Sequence, residues 1–182
     1  EKRDALSKDW PQFFEKLNMT LVLIPNFLTN LESYLDSIEI DGIILSGGDN
    51  VGDFPERDST ETTLLQYGII HDLPIFGVCR GMQMINHFFN GTIIKNLSEE
   101  HVGKPHEIKI SNTRISHKFE SESFSVNSFH NNIIQDKNLG KNLVSFAKTI
   151  SDNTVEGIFH KEYKILGVMW HPEREQNTKN KL

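Results

Sequence analysis

The stretch Pro74-Ile75-Phe76-Gly77-Val78-Cys79-Arg80-Gly81-Met82-Gln83 constrains this chain more than any other. An apolar run the length of a buried strand leads into a cysteine with glycines on both sides, and a helix-like segment follows. That is the layout of a nucleophile elbow, a sharp strand-to-helix turn that lifts a reactive side chain clear of a sheet. The glycines fit, because a tight turn needs permissive backbone angles and a substrate must approach the backbone closely. Most free cysteines are inert core residues, so the reactive reading needs partners. Gly167-Val168-Met169-Trp170-His171-Pro172-Glu173 offers them, as a second apolar strand that ends in a histidine with a carboxylate two positions on.

Around the elbow, apolar strands alternate with helical patterns. Asp9 to Leu17 has helical spacing with Pro11 in the first turn, Leu21 to Ile24 reads as a buried strand, and Leu31 to Ile38 reads as a short helix. Ile43 to Leu45 is the next buried strand and runs into Ser46-Gly47-Gly48-Asp49. Asp58-Ser59-Thr60-Glu61 has the spacing of a capping box and predicts a helix from Ser59 to Tyr67. Strand Ile75 to Val78 and a helix from Cys79 to Phe89 complete a first half that argues for a parallel sheet covered on both faces. The second half predicts short strands at Gly91–Ile94, Glu107–Ile110, Phe124–Asn127, Leu143–Lys148, Val155–Phe159 and Ile165–Trp170, several of them alternating apolar and polar residues. Ser98–Pro105 and Asn112–Ser123 read as irregular, histidine-bearing loops, and the stretch after Arg174 as a disordered polar tail.

At 182 residues the chain reads as one domain over positions 1–182. A net charge of −6 without a basic cluster argues against a nucleic-acid surface. No apolar run reaches membrane-spanning length. A single cysteine excludes an internal disulfide and a thiolate zinc site, and fits a reducing compartment, so the expected location is the cytoplasm.

A thiol becomes a good nucleophile when a helix N-terminus or a neighbouring imidazolium lowers its pKa. Cys79 is placed for the first effect, and His171 supplies the second if its strand lies beside the elbow strand. Glu173 then orients the imidazole, since residues i and i+2 of an extended segment point the same way. Acyl transfer also needs oxyanion donors. The glycine turn after Leu45 and the backbone N–H of Arg80 are placed to give them. A metal is not expected, because the histidines are scattered and His101 with His106 lacks helical ligand spacing.

These three stretches in this order resemble the triad-type (class I) glutamine amidotransferases, over nearly the whole chain. The resemblance implies a flavodoxin-like α/β fold: a doubly wound, mostly parallel central sheet with helices on both faces and extra antiparallel strands in the second half. It implies Cys79 as nucleophile, His171 as base, Glu173 as orienter, and Gly48 with Arg80 as oxyanion donors. It further implies that Gln83 and the segment Asn127-Ser128-Phe129-His130 bind the glutamyl half of a substrate, with no cofactor. Arg57-Asp58 with Glu61 resembles a stretch of the stand-alone γ-glutamyl hydrolases. The opening Arg3-Asp4-Ala5-Leu6 through Trp10 is similar to hydrolases of a γ-glutamyl cytidine-diphosphoramidate in capsule synthesis. Relatives of this kind begin with a central strand and end in a helix that this chain lacks, so it reads as a shortened form.

The expected partner is a small γ-glutamyl substrate, with no nucleic acid and no membrane, and a homodimer is one assembly open to the chain. An ammonia-supplying glutaminase subunit and a non-catalytic binding module remain as alternatives. Arg3, Arg57, His101 and Lys104 are the cations available to meet a phosphorylated leaving group, while His101, His106, His117 and Lys118 each read singly as solvated surface.

Overall fold

The computed structural model describes residues 3–95, 101–119 and 121–174. The expected polar tail at 175–182 lies outside the described residues, as do Ser98–Glu100 of the first loop and Glu120 of the second.

Helix α1 (Asp9–Lys16) carries Trp10 and Phe14 one turn apart, and both are buried. Helix α2 (Leu31–Ile38) starts at Asn30, whose side-chain oxygen accepts the Ser33 N–H at 3.1 Å, and it buries Leu31 and Leu35. Strand β1 (Ile43–Leu45) follows, then α3 (Pro55–Ile70), β2 (Ile75–Val78) and α4 (Arg80–Phe88). The second half holds β3 (Ile94–Lys95), β4 (His106–Ile110), the short helix α5 (Thr113–Ser116), β5 (Ser123–Val126), β6 (Asn132–Ile133), β7 (Leu143–Thr149), β8 (Val155–His160) and β9 (Ile165–Val168).

Seven strands form one sheet in the order β1-β2-β9-β8-β7-β4-β5, and β3 pairs with β6 separately. Strands β1, β2 and β9 run parallel, whereas the four pairings from β9 across to β5 are antiparallel. The sheet is therefore mixed, with a larger antiparallel share than the first half of the sequence suggests. Period-two alternation splits its core in two. Ile43, Leu45, Ile75 and Ile165 face α2, α3 and α4, whereas Val78 and Val168 face Trp10, Phe14 and Phe146 on the other side. Helices thus cover both faces. None of the described helices is long and apolar enough to cross a membrane.

Two expectations are corrected here. Leu21–Ile24 pairs with no described strand, and Val22 and Leu23 are exposed. An apolar extended run becomes a strand only where an edge is free to receive it. Helix α3 begins at Pro55 rather than Ser59, with proline at the first helical position. The Asp58 carboxylate is occupied elsewhere, accepting from the Gly52 N–H at 2.8 Å and pairing with Arg80, so it caps nothing.

Candidate active site

The elbow is real in backbone terms. Cys79 sits between β2 and α4 at φ 52°, ψ −105°, a conformation that costs a non-glycine residue energy and persists only where its surroundings impose it. Those surroundings are the Cys79 N–H donating to the Val168 carbonyl at 2.8 Å and the Gln83 N–H donating back to the Cys79 carbonyl at 3.1 Å. The thiol is nearly enclosed. Burial pushes its pKa from an ordinary 9.0 up to about 12, against the Arg80 N–H, which favours the thiolate. The Glu173 and Glu156 charges push it the same way as burial. The expectation of a resting, acidified thiolate is therefore corrected: the enclosed cysteine holds its proton.

Strand β9 lies beside β2 in parallel register, Val78 opposite Val168, so the two strand ends carry Cys79 and the Met169-Trp170-His171 segment to the same end of the sheet. His171 Nδ1 lies 2.7 Å from Glu173 Oε1, with both side chains buried. A carboxylate can only accept, so Nδ1 carries the proton and Nε2 keeps its lone pair, the tautomer that a base needs. An extended segment was expected to align the pair. Instead Pro172–Arg174 forms a 3₁₀ turn, closed by the Arg174 N–H on the His171 carbonyl at 3.1 Å. Asn127 grips the same backbone from outside, its amide donating to the His171 carbonyl and its oxygen accepting the His171 N–H, each at 2.8 Å. The imidazole rests over Gly47, where a Cβ would stand 2.7 Å from its Cε1. Among the described residues, thiol and imidazole are not hydrogen-bonded to each other.

Arg57, Asp58 and Glu61 build the floor of the site. Arg57 donates to the Ser46 and Gly47 carbonyls at 2.8 and 3.1 Å and pairs with Glu61 at 2.8 Å. Arg80, almost wholly buried, pairs with both Asp58 and Glu61. Two guanidinium groups and two carboxylates thus fasten the glycine turn to the elbow. Gly48 sits at φ +152° beneath Arg57, whose Nη1 would lie 2.3 Å from any Cβ there, so only glycine fits. Arg80 sends its side chain into this network and leaves its backbone N–H beside the thiol.

The other expected residues fare differently. Gln83 is buried on α4 and touches Asn132, whose amide donates to Gln83 Oε1 at 3.5 Å and to Asn50 Oδ1 at 2.7 Å. Asn127 is engaged with His171, and the Ser128 hydroxyl donates to the His101 carbonyl. Phe129 is half exposed, and its ring meets His171 edge to face at 5.6 Å. His130 is buried beside His101, His106 and Glu156. His101 is buried too, with Nε2 at 3.0 Å from Asp152, and His106 lies against Glu156, so the surface reading is corrected for both; His117, Lys118 and Lys104 are exposed as expected. Burial alone would raise the Asp152 carboxyl, but the Thr149 hydroxyl, the Thr154 N–H and His101 hold it well below its usual range.

Sequence reasoning passed over Asn132, Asp152, Glu156 and Arg174. The Arg174 guanidinium lies 4.8 Å above the Phe129 ring and approaches Glu173 at 3.7 Å. Its position directly after the histidine–carboxylate segment was the available signal.

Comparison with known proteins agrees with this geometry. Residues 52–173 match the model of the family described as peptidase C26. The chain is 36% identical over 187 aligned residues to a protein of Campylobacter jejuni named gamma-glutamyl-CDP-amidate hydrolase, covering 99% of this chain and 86% of that one. It is 30% identical to anthranilate synthase component 2 of Cyanophora paradoxa, covering 93% and 86% of the two chains. The fold superposes on a glutamine amidotransferase of Thermotoga maritima with a TM-score of 0.71 at 14% identity, covering 90% of this chain and 69% of that one. A cysteine elbow, a carboxylate-held histidine and these matches place the chain in the peptidase C26 family of class I glutamine amidotransferases.

Proposed function

We propose that this chain hydrolyses a γ-glutamyl amide through a glutamyl thioester on Cys79. The observation that carries the reading is the strained Cys79 elbow beside a His171 whose tautomer Glu173 fixes for proton acceptance. Sγ attacks the γ-carbonyl carbon while His171 Nε2 takes the thiol proton. The oxygen becomes an oxyanion facing the N–H groups of Arg80 and Gly48. The C–N bond then breaks, and His171 returns its proton to the departing nitrogen. Water, deprotonated by the same histidine, attacks the thioester, glutamate leaves and the thiol recovers its proton. A thiol held near pKa 12 fits concerted attack and proton transfer better than a waiting thiolate.

The finer reading is a nucleotide-linked γ-glutamyl phosphoramidate as substrate, supported by the name of the 36% identical relative. Of the cations expected to meet its phosphates, Arg57 is committed to the glycine turn and His101 is buried. Arg174 takes their place in this reading, being 38% exposed and beside both Phe129 and the triad carboxylate. The test measures glutamate release by the protein alone from a neutral γ-glutamyl amide, from γ-glutamyl-CDP-amidate and from glutamine, with intact mass of the acyl-enzyme trapped on quenching. Preference for the CDP-amidate that shrinks in Arg174→Ala and in rising salt supports the reading. Equal rates on neutral and phosphorylated amides remove it. The likeness to a synthase component favours a second reading as an ammonia-supplying subunit; glutamine turnover that needs an added synthase partner would select it.

A further inference from the structure

Glu156 is completely buried on β8, and three imidazoles surround it: His101 and His130 from two loops, and His106 from β4. One donor atom from each of the four lies within 4.8 Å of every other. His101 Nδ1, His106 Nε2, His130 Nε2 and both Glu156 oxygens have no hydrogen-bond partner, although all are shut away from solvent. A fully buried carboxylate whose nearest polar neighbours are two imidazole nitrogens beyond ordinary hydrogen-bond length is costly enough to call for further compensation.

The separations say what. His106 Nε2 and His130 Nε2 each stand 3.4 Å from a Glu156 oxygen, which is long for a hydrogen bond to a charged group. Donor atoms at about 2.0–2.1 Å from a common centre in a tetrahedral site are separated from one another by about 3.3–3.4 Å. The outer hydrogen bonds of two of the three imidazoles agree, while His106 Nδ1 has none. His130 Nδ1 lies 3.0 Å from the Asn132 carbonyl, which can only accept, so Nε2 bears the lone pair that points into the cluster. His101 Nε2 lies 3.0 Å from the Asp152 carboxylate, which frees Nδ1 in the same way. Imidazoles whose far nitrogens donate to a carboxylate or carbonyl are the usual outer support of a metal site. A register shift between β7 and β8 leaves Glu156 unpaired, with Ala147 opposite Gly157 and Lys148 opposite Val155, and such a bulge in β8 re-aims its side chain.

We propose that His101, His106, His130 and Glu156 bind one divalent transition-metal ion, with donors of the kind that Zn²⁺ favours. The ion ties the loop at His101 and the loop at His130 to the antiparallel half of the sheet. Its consequence reaches the triad: the loop that ends in His130 also carries Asn127 and Phe129, which hold the backbone and ring of His171. The site orders the base; it takes no part in bond breaking.

Cys79 and His171 could themselves capture an ion, so the test uses the Cys79→Ala background. The purified protein, incubated with Zn²⁺ and gel-filtered, should retain one ion per chain by mass spectrometry of the metal, and its Tm should rise with Zn²⁺ and fall on chelation. Co²⁺ in the same protein should show the intense visible bands of four-coordinate nitrogen–oxygen ligation. His106→Ala should lose the ion. Asp152→Asn, which keeps the size of the side chain but weakens its acceptance of the His101 Nε2–H, should lower metal affinity by about 10–100-fold, and thermal unfolding of the metal-free variant separates this from any loss of stability. Failure to retain Zn²⁺, an unmoved Tm and the faint spectrum of aqueous Co²⁺ would overturn the proposal and leave a hydrogen-bonded histidine–glutamate network. Metal retained equally by the double variant Cys79→Ala/His106→Ala would overturn it as well.

Discussion

The parallel half of the sheet and its antiparallel half both gather polar side chains, but by different routes. In β1, β2 and β9 the strands are apolar throughout, and polar chemistry waits beyond their ends: Ser46-Gly47-Gly48 and Cys79 directly follow the last residue of β1 and β2, and His171 stands three positions after the last residue of β9. In β4, β7 and β8 the polar groups lie within the strands, as His106, Thr149 and Glu156 do, and they are buried or nearly so. The first arrangement is encoded locally, by a run of residues that makes a strand and then a turn. The second depends on register and on loops that return from far along the chain, so each member looks ordinary alone. The groups of the proposed mechanism sit where the encoding is local, and Asn127, from the loop after β5, reaches across to the backbone of one of them.

The sharpest way to break this comparison is to remove the strand-end groups. Cys79→Ser and His171→Ala should each lower kcat/KM by about 10⁴–10⁶-fold while thermal unfolding stays cooperative. Glu173→Ala should cost about a hundredfold less, because it orients the base without transferring a proton. Glutamate release within tenfold of the parent by the cysteine or histidine variant would remove the strand-end assignment.

The network beneath the elbow comes next. Glu61→Ala strips a shared carboxylate from two buried or half-buried guanidinium groups, and breaking such a pair destabilises by about 3–5 kcal/mol. Asp72→Ala, which removes an exposed pair with Lys164, should change stability by no more than about 1 kcal/mol. Denaturant midpoints of the two variants check this directly. Similar losses would mean that the buried network holds the glycine turn no more firmly than an exposed ion pair would.

Asn127→Ala tests the link between the halves. The two hydrogen bonds to the His171 backbone contribute to aiming the base, so kcat should fall by about 10–100-fold with KM nearly unchanged. A rise in KM alone would assign Asn127 to substrate binding, the role that its resemblance to the glutamyl-pocket segment implied.

What the sequence made legible follows the same division. The elbow, the His171–Glu173 pair and the alternation of the first half could be read directly, because each is a contiguous pattern. The start of α3 was misread, since Asp58 has the spacing of a cap but spends its carboxylate on Arg80, twenty-two positions away. Leu21–Ile24 has the composition of a strand and finds no ladder. The histidine cluster was invisible for a deeper reason. Its members at 101, 106, 130 and 156 have no metal-motif spacing, and only the fold of β4 against β7 and β8 brings them together. Arg57, Asp58 and Glu61 stand between these extremes: the motif was visible, its partner Arg80 was not.

The smallest expected effect concerns the enclosure of the thiol itself. Burial raises the Cys79 pKa from 9.0 to about 12, so the folded state holds the proton more tightly than the unfolded chain does. The sign follows from linkage. The contribution is fully present below about pH 9 and is lost as pH rises towards 12, because unfolding releases a proton that the folded state keeps. Each pH unit in that window costs about 1.4 kcal/mol at most. Cys79→Ala has no thiol to titrate, so the stability difference between parent and variant should be flat from pH 6 to 8 and shift in favour of the variant from pH 9 to 10.5. Denaturant unfolding of both proteins across that range measures it. Parallel profiles would mean that the thiol titrates near its ordinary value, and that the strand-end cysteine is open to solvent rather than enclosed until substrate arrives.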